Sequence, residues 1–486
     1  MTEPCDLSAR EARARIGARR LSPVELVESC IRRVEAVDHA VNALVARDFA
    51  RARAAARAAE AAVLRGEPLG PLHGLPVGIK DLEDVGGLRT TYGSLLYRDH
   101  VPAADEAMVA ALRRAGAIVL GKTNTPEFGA GGNTRNAVYG ATGNPFDPRL
   151  SAAGSSGGSA VALATGMVPL ATGSDLGGSL RNPAAFCGVV GFRPSAGLVP
   201  SDRRGLGFSG LSVLGPMARD VPDLALLFAA QAVEDGRDPL SRPPPAGLDP
   251  LPPADLCGLR AALTVDFGFA PTARAIAEVF AERTALFADG FAVAVPASPD
   301  CADADEIFPP LRALSFLATH AGRGAEELAL LGPNSQENLA EAARFSAADL
   351  ARAELAHTRY YRRWQAFFER FDILLSPAIT ISPRPWTEWA PREIDGQPTR
   401  SYYHWLALAY AVTLAGHPAI VLPAGRDREG LPFGLQIVGR RGEDARLLAI
   451  AATLETLLAG DARTARPLPD IAALAAAPPI ATLAPA

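Results

Sequence analysis

The segment from Gly154 to Ser179, GSSGGSAVALATGMVPLATGSDLGGS, constrains the fold more than any other part of the chain. Clusters of Gly and Ser on their own read as flexible linkers. Here two such clusters flank AVALATGMVPLAT, an apolar run that reads as a buried helix and strand. A buried element between them makes the two loops parts of a scaffold that brings them to one place. In Gly173-Ser174-Asp175-Leu176-Gly177-Gly178-Ser179, the glycines permit tight geometry and leave N–H groups unshielded. Successive N–H groups can then point at one oxygen, which is what an oxyanion hole requires. Ser179, beside that nest, is the candidate nucleophile. The local pattern is G-G-S-L-R, not the G-x-S-x-G elbow of the α/β-hydrolases. Asp175 and Arg181 flank the turn with opposite charges and read as a pair that braces it.

A serine hydroxyl needs a base. Of seven histidines, His73 and His417 sit in suggestive turns before apolar runs, where a structural hydrogen bond is the simpler role. The other candidate is Lys80, at the end of the apolar run PVGIK and followed by Asp81. A lysine on a buried strand loses solvation, so its pKa falls toward neutrality, as a general base requires. Pairing with Asp81 at a strand end is an equally good account. These residues alone leave the base undecided.

The rest of the chain supplies the frame. Ser22-Pro23-Val24-Glu25 carries a capping serine, a first-turn proline and a capping-box glutamate, and predicts a helix. A second helix is predicted over 49–64. From about residue 70, short apolar runs (Leu75 to Ile79, Ala117 to Leu120, Val168 to Leu170) alternate with Gly-rich turns and helical stretches. That texture predicts an α/β fold delivering loops to one sheet edge. DILLSPAITI and HPAIVLPAG read as further buried strands. Residues 242–255 are Pro-rich and read as a surface linker, with a second α/β-like passage from about 256. The tail from about 476 is expected to be loosely held. Gly116 to Thr123 satisfies the P-loop expression, but its middle residues are apolar and include β-branched Ile118 and Val119, which favours a strand, and Asn124-Thr125-Pro126 continues a helix poorly.

With 486 residues and a formal net charge of −5, the chain has ample core but no basic excess for gripping nucleic acid. Five scattered cysteines form no CxxC pair, so no zinc or redox framework is signalled. No signal-peptide pattern or bilayer-length apolar run is apparent. The expectation is a soluble, cytoplasmic protein with no metal.

LHGLPVGIKD (72–81), GSSGGSA (154–160) and GSDLGGSLRNPAAFCGVVGFRPS (173–195) resemble the amidase signature family of amide hydrolases. Ser155 lies 24 positions before Ser179, the family's spacing. The resemblance runs from the Ser22 helix to GLPFGLQIVGR (430–440) and is densest between 70 and 220. It implies a single large domain over 1–486, with a twisted mixed sheet covered by helices. It also implies a Ser–Ser–Lys triad: Ser179 as nucleophile, Ser155 (after a cis peptide bond) as relay, Lys80 as base. The N–H groups of Leu176, Gly177, Gly178 and Ser179 would form the oxyanion hole. Ser156, Asp175 and Arg181 would support it, and Gly131, Gly132 and Asn133 would line the substrate site. No cofactor is implied; the partner would be a small-molecule amide, with no nucleic acid or membrane, and a homodimer is compatible with it.

The chain departs from the family pattern at three places. Leu176 stands where Thr is common, Ala152-Ala153 replaces Pro-Gly, and Asn182 replaces an aliphatic residue. The rival within the family is the glutaminase-type component of a tRNA-dependent amidotransferase, which works with partner subunits. Its usual Lys-Pro-Thr-Tyr-Gly is here Arg193-Pro194-Ser195-Ala196-Gly197. An idle binding protein and an ATP-dependent enzyme are the remaining alternatives. Trp386, Trp389, Tyr402, Tyr403 and Trp405 are candidates to wall an apolar pocket.

Overall fold

Alternating apolar runs and turns assemble into one sheet of eleven strands in the computed structural model, which describes residues 3–480. In chain order the strands are β1 (Leu44–Arg47), β2 (Pro76–Lys80), β3 (Ile118–Thr123), β4 (Leu170–Asp175), β5 (Val190–Arg193) and β6 (Val213–Ala218). They continue with β7 (Arg260–Leu263), β8 (Val293–Pro296), β9 (Ile373–Pro377), β10 (Ala419–Arg426) and β11 (Pro432–Val438). Their spatial order is β1-β3-β2-β4-β6-β5-β10-β11-β9-β7-β8. The sheet is mixed: β3 and β4 both run parallel to β2, whereas β6 and β10 pair antiparallel to their neighbours. The passage from residue 256 therefore adds β7 and β8 to the same sheet.

The helix after Ser22 runs Pro23–Val41, with Ser22 Oγ accepting the Val24 N–H at 2.9 Å and Glu25 accepting the Ser22 N–H at 3.0 Å. The next helix is Phe49–Arg65. Residues 242–255 carry no helix or strand. Towards the C-terminus a helix spans Ile471–Ala476, the His39 ring contacts the Ala477 carbonyl at 2.9 Å, and the Ile480 N–H donates to His39 O at 2.9 Å. Residues 481–486 lie outside the described residues. No helix of the described residues is long and apolar enough to cross a membrane.

Because β2, β3 and β4 are parallel, Lys80, Thr123 and Asp175 end their strands at one edge. The apolar run after Ser156 forms the helix Gly157–Ala164, buried along its whole length. Its first turn docks on the end of β3, where the Gly158 N–H donates to Asn124 O at 3.2 Å. A Cβ at Gly158 would meet the Ala43 carbonyl oxygen at 2.7 Å, so only glycine permits that approach. Residues 118–123 of the P-loop-like stretch are strand β3, and Lys122 is buried against Thr90 Oγ1 at 3.1 Å and Asp81 at 3.8 Å.

Candidate active site

The end of β2 places Lys80 where it loses solvent entirely. Its Nζ lies 2.7 Å from Ser155 Oγ, 2.9 Å from Ser156 Oγ and 2.9 Å from Ser174 Oγ. Three hydroxyl partners match the amine in either state, as an ammonium with three N–H donors or as a neutral amine with two donors and one lone pair. Asp81 is not its partner: that carboxylate takes the Thr91 hydroxyl at 2.5 Å and faces Lys122. Burial drives the Lys80 pKa below its ordinary value, and the negative potentials of Glu83 and Asp175 oppose that only in part. Ser174 was missed in the sequence; its signal was its place next to Asp175 on the strand beside Lys80.

Ser155 follows a cis peptide bond from Gly154. Just before it, Ala153 adopts φ 57°, the left-handed region that a glycine would enter more freely. Thr134 holds this turn through its N–H (3.0 Å) and Oγ1 (2.8 Å), both donating to Ala153 O. The first serine loop is joined to the second by the Ser156 N–H, which donates to Ser179 O at 3.2 Å.

The Asp175–Arg181 pair forms as the charges predict, and is doubly bonded. Arg181 Nε reaches Asp175 Oδ2 at 3.0 Å and Nη2 reaches Oδ1 at 3.0 Å, with Arg193 adding a contact to Oδ1 at 3.2 Å. All three side chains are buried. Asp175 also accepts the Gly178 N–H at 2.9 Å and the Leu180 N–H at 3.2 Å. This corrects one expectation: the Gly178 N–H is committed to Asp175 and is not a free donor for an oxyanion. Gly178 has φ 104°, and an added Cβ there would meet Asn182 Nδ2 at 2.5 Å. Asn182 lies beneath the nest, its N–H donating to Gly178 O at 2.7 Å and its amide to Gly177 O at 3.4 Å.

Ser155, Ser174, Leu176, Gly177 and Ser179 face one cavity of about 250 Å³. Its outer walls come from Phe128, Phe308, Phe316 and Leu406, with Arg204 and Arg312 as the charged residues and no acidic one among its lining. Gly131 lines it, but Gly132 and Asn133 do not. Gly132 packs against Trp405, and Asn133 is a strap: its Nδ2 donates to Trp386 O (2.8 Å) and Glu388 O (2.9 Å), and its Oδ1 accepts from Ser151 at 2.9 Å. Of the five aromatic candidates, Tyr402 and Tyr403 reach the cavity. Trp386 and Trp405 are core, and Trp389 lies under Arg135. Phe128 comes from the turn Glu127–Gly129, and Phe308 and Phe316 come from one helix, Ala304–His320; none left a local sequence signal.

Neither histidine approaches Ser179. The His73 ring contacts Ala59 O at 3.0 Å. His417 contacts Gly439 O at 2.7 Å and Gln365 at 2.8 Å, and burial lowers its pKa to about 4. Among the described residues, no group of three or more His, Cys, Asp or Glu side chains is placed to hold a metal.

Known proteins resemble this chain along nearly its whole length. The family model described as Amidase matches residues 25–448. An acylamidase of Rhodococcus erythropolis is 36% identical over 463 residues, covering 93% of this chain and 95% of that one. A glutamyl-tRNA(Gln) amidotransferase subunit of Thermus thermophilus is 38% identical over 480 residues, covering 92% and 96%. The crystal structure of a bacterial aryl acylamidase of the amidase signature enzymes superposes with a TM-score of 0.85 at 30% identity, covering 93% and 96%. With its sheet, its serine loops and these matches in agreement, this chain belongs to the amidase signature family of amide hydrolases.

Proposed function

We propose that this protein hydrolyses the C–N bond of a small carboxamide, giving an acid and ammonia or an amine, through an acyl-enzyme on Ser179. The observation that carries this reading is the Lys80 amine, buried and hydrogen-bonded only to serine hydroxyls among the described residues, 2.7 Å from Ser155 Oγ. Lys80 enters neutral and takes the Ser155 proton as Ser155 takes that of Ser179. Ser179 Oγ then attacks the carbonyl carbon, and the N–H groups of Leu176, Gly177 and Ser179 hold the oxyanion. The proton returns from Lys80 through Ser155 to the departing nitrogen as the C–N bond breaks. Water, deprotonated along the same path, attacks the ester and releases the acid. The scheme uses no metal or cofactor.

The aromatic outer wall suits an aryl or alkyl amide. Similarity to amidotransferase subunits supports a second reading, a glutaminase that works with partner subunits. The cavity weighs against it in one respect: Arg204 and Arg312 suit the α-carboxylate of glutamine, but no lining residue offers a carboxylate to its α-ammonium. The deciding experiment gives the purified chain a panel of neutral aryl and alkyl amides alongside glutamine. Mass spectrometry then reads the acyl group on Ser179. Aryl amide turnover with acylated Ser179 is expected; turnover of glutamine alone would favour the amidotransferase reading.

A further inference from the structure

We propose that Glu83 is a positioning residue for this reaction, its buried carboxylate anchored by Thr172 so that its charge governs how readily Lys80 takes and returns the proton. The inference rests on the reading of Lys80 as base.

Glu83 lies three residues beyond Lys80, and its N–H turns back to Lys80 O at 3.1 Å. Its Oε2 accepts the Thr172 hydroxyl proton at 2.9 Å, and that same Thr172 Oγ1 accepts the Lys80 N–H at 2.9 Å. One hydroxyl on the neighbouring parallel strand thus holds both the carboxylate and the backbone of the base. The other carboxylate oxygen, Oε1, is buried with no hydrogen-bond partner. An unpartnered buried carboxylate oxygen is costly unless a nearby positive charge compensates it.

The surrounding charges point to the ammonium that Lys80 becomes when the serine proton reaches it. Lys122 donates to the Glu83 backbone carbonyl and to Thr90, with Asp81 as its nearest carboxylate. Asp84 is paired with Arg203, and Asp175 is held by Arg181 and Arg193. Glu106 is a further buried carboxyl in the cluster, pushed up by burial and by Glu83. Glu83 and Glu106 are the carboxyls of this cluster with no ion-pair partner of their own among the described residues, and Glu83 is the one that acts on Lys80, ahead of Asp175. Conversely, burial raises the Glu83 pKa, and Lys80 is the largest influence opposing that rise. The two groups therefore titrate as a pair. When the serine proton reaches Lys80, the new ammonium forms beside an anchored anion, with no ion pair to break before the proton goes back.

Glu83→Gln tests this, since it keeps the size and the Thr172 bond but removes the charge. Without the anion, Lys80 loses its proton at lower pH. The acid limb of kcat/KM for an aryl amide should move down by about one pH unit. The plateau should fall by about tenfold, because the weaker base is a poorer proton acceptor. The pH dependence of Ser179 modification by phenylmethanesulfonyl fluoride should show the same displacement. Glu83→Asp, which keeps the charge, should hold the limb near its original position. A lower plateau with an unmoved limb in Glu83→Gln overturns the proposal. If that variant does not fold, Thr172→Val, which releases the carboxylate from its anchor, takes its place, and an unmoved limb there overturns it equally. Failure of the underlying reading looks different: Lys80→Ala would keep both its activity and its acid limb.

Discussion

Asp175 accepts the Gly178 N–H at 2.9 Å while Arg181 grips both of its carboxylate oxygens at 3.0 Å each. The turn that presents Ser179 is thus shaped from below by a buried ion pair. Burial alone would raise the Asp175 pKa, but Arg181 and Arg193 outweigh it and hold the carboxyl well below the usual carboxylate range.

Arg181→Leu should therefore cost on the order of 3–5 kcal/mol, because one partner of a buried pair is removed and the other remains. Urea unfolding reads this directly. The same pair sets an acid dependence. A depressed carboxylate contributes stability that is present above its unfolded pKa of about 3.9 and is lost as pH falls through the lower folded value. Asp175→Asn should flatten the stability curve below about pH 4 relative to the parent protein.

Ser179→Ala should lower kcat by about 10⁴-fold or more while leaving the unfolding midpoint in place. Lys80→Ala should be comparably damaging, since the Ser155 hydroxyl then has no base. His417→Ala should lower the melting temperature through the lost Gly439 contact but keep the Ser179 acylation rate. Steady-state kinetics with mass analysis of Ser179 separate these outcomes. An inactive, well-folded His417→Ala protein would refute the lysine assignment.

The rate should also carry the signature of a buried lysine. Activity needs the neutral amine, so kcat/KM should rise with pH as Lys80 loses its proton and then level off. Burial lowers that pKa, so the midpoint should lie clearly below the ordinary lysine value of about 10.4. A pH–rate profile that is still climbing at pH 10 would contradict it.

Gly178→Ala combines two costs. The positive φ of 104° is worth about 1–3 kcal/mol to a residue with a side chain. The new Cβ would also crowd Ala409 Cβ and the Asn182 amide. The single variant should lose stability and Ser179 reactivity together. Adding Ala409→Gly should recover part of the stability by relieving one clash, leaving the backbone cost. Thermal unfolding of the two variants measures the difference.

Much of this was legible in the chain itself, wherever the determinants are local. The Ser22 cap, the β-branched run that became β3 and the Gly-Ser loops each carry a conformational preference set by neighbouring residues. Gly132 and Asn133 illustrate the opposite case. Their loop was expected at the substrate, but Asn133 is drawn away by carbonyls of Trp386 and Glu388, some 250 positions along the chain. The aromatic candidates divided for the same reason: Tyr402 lines the cavity, whereas Trp405 packs near Phe186 of the helix Arg181–Cys187, far off in the chain.

Glycine spacing, buried apolar runs and the Lys80, Ser155 and Ser179 motifs determined by themselves the α/β architecture, the family and the candidate nucleophile. These are properties of short segments, where sterics and hydrophobic periodicity act over a few residues. Whether Lys80 meets Asp81 or three serines, whether the Gly178 N–H points outward or to Asp175, and that Glu83 stands behind the base were decided by tertiary structure alone. Each of these depends on which strands lie side by side, and a hydrogen bond or a buried charge acts over a few ångströms of space whatever the distance along the chain.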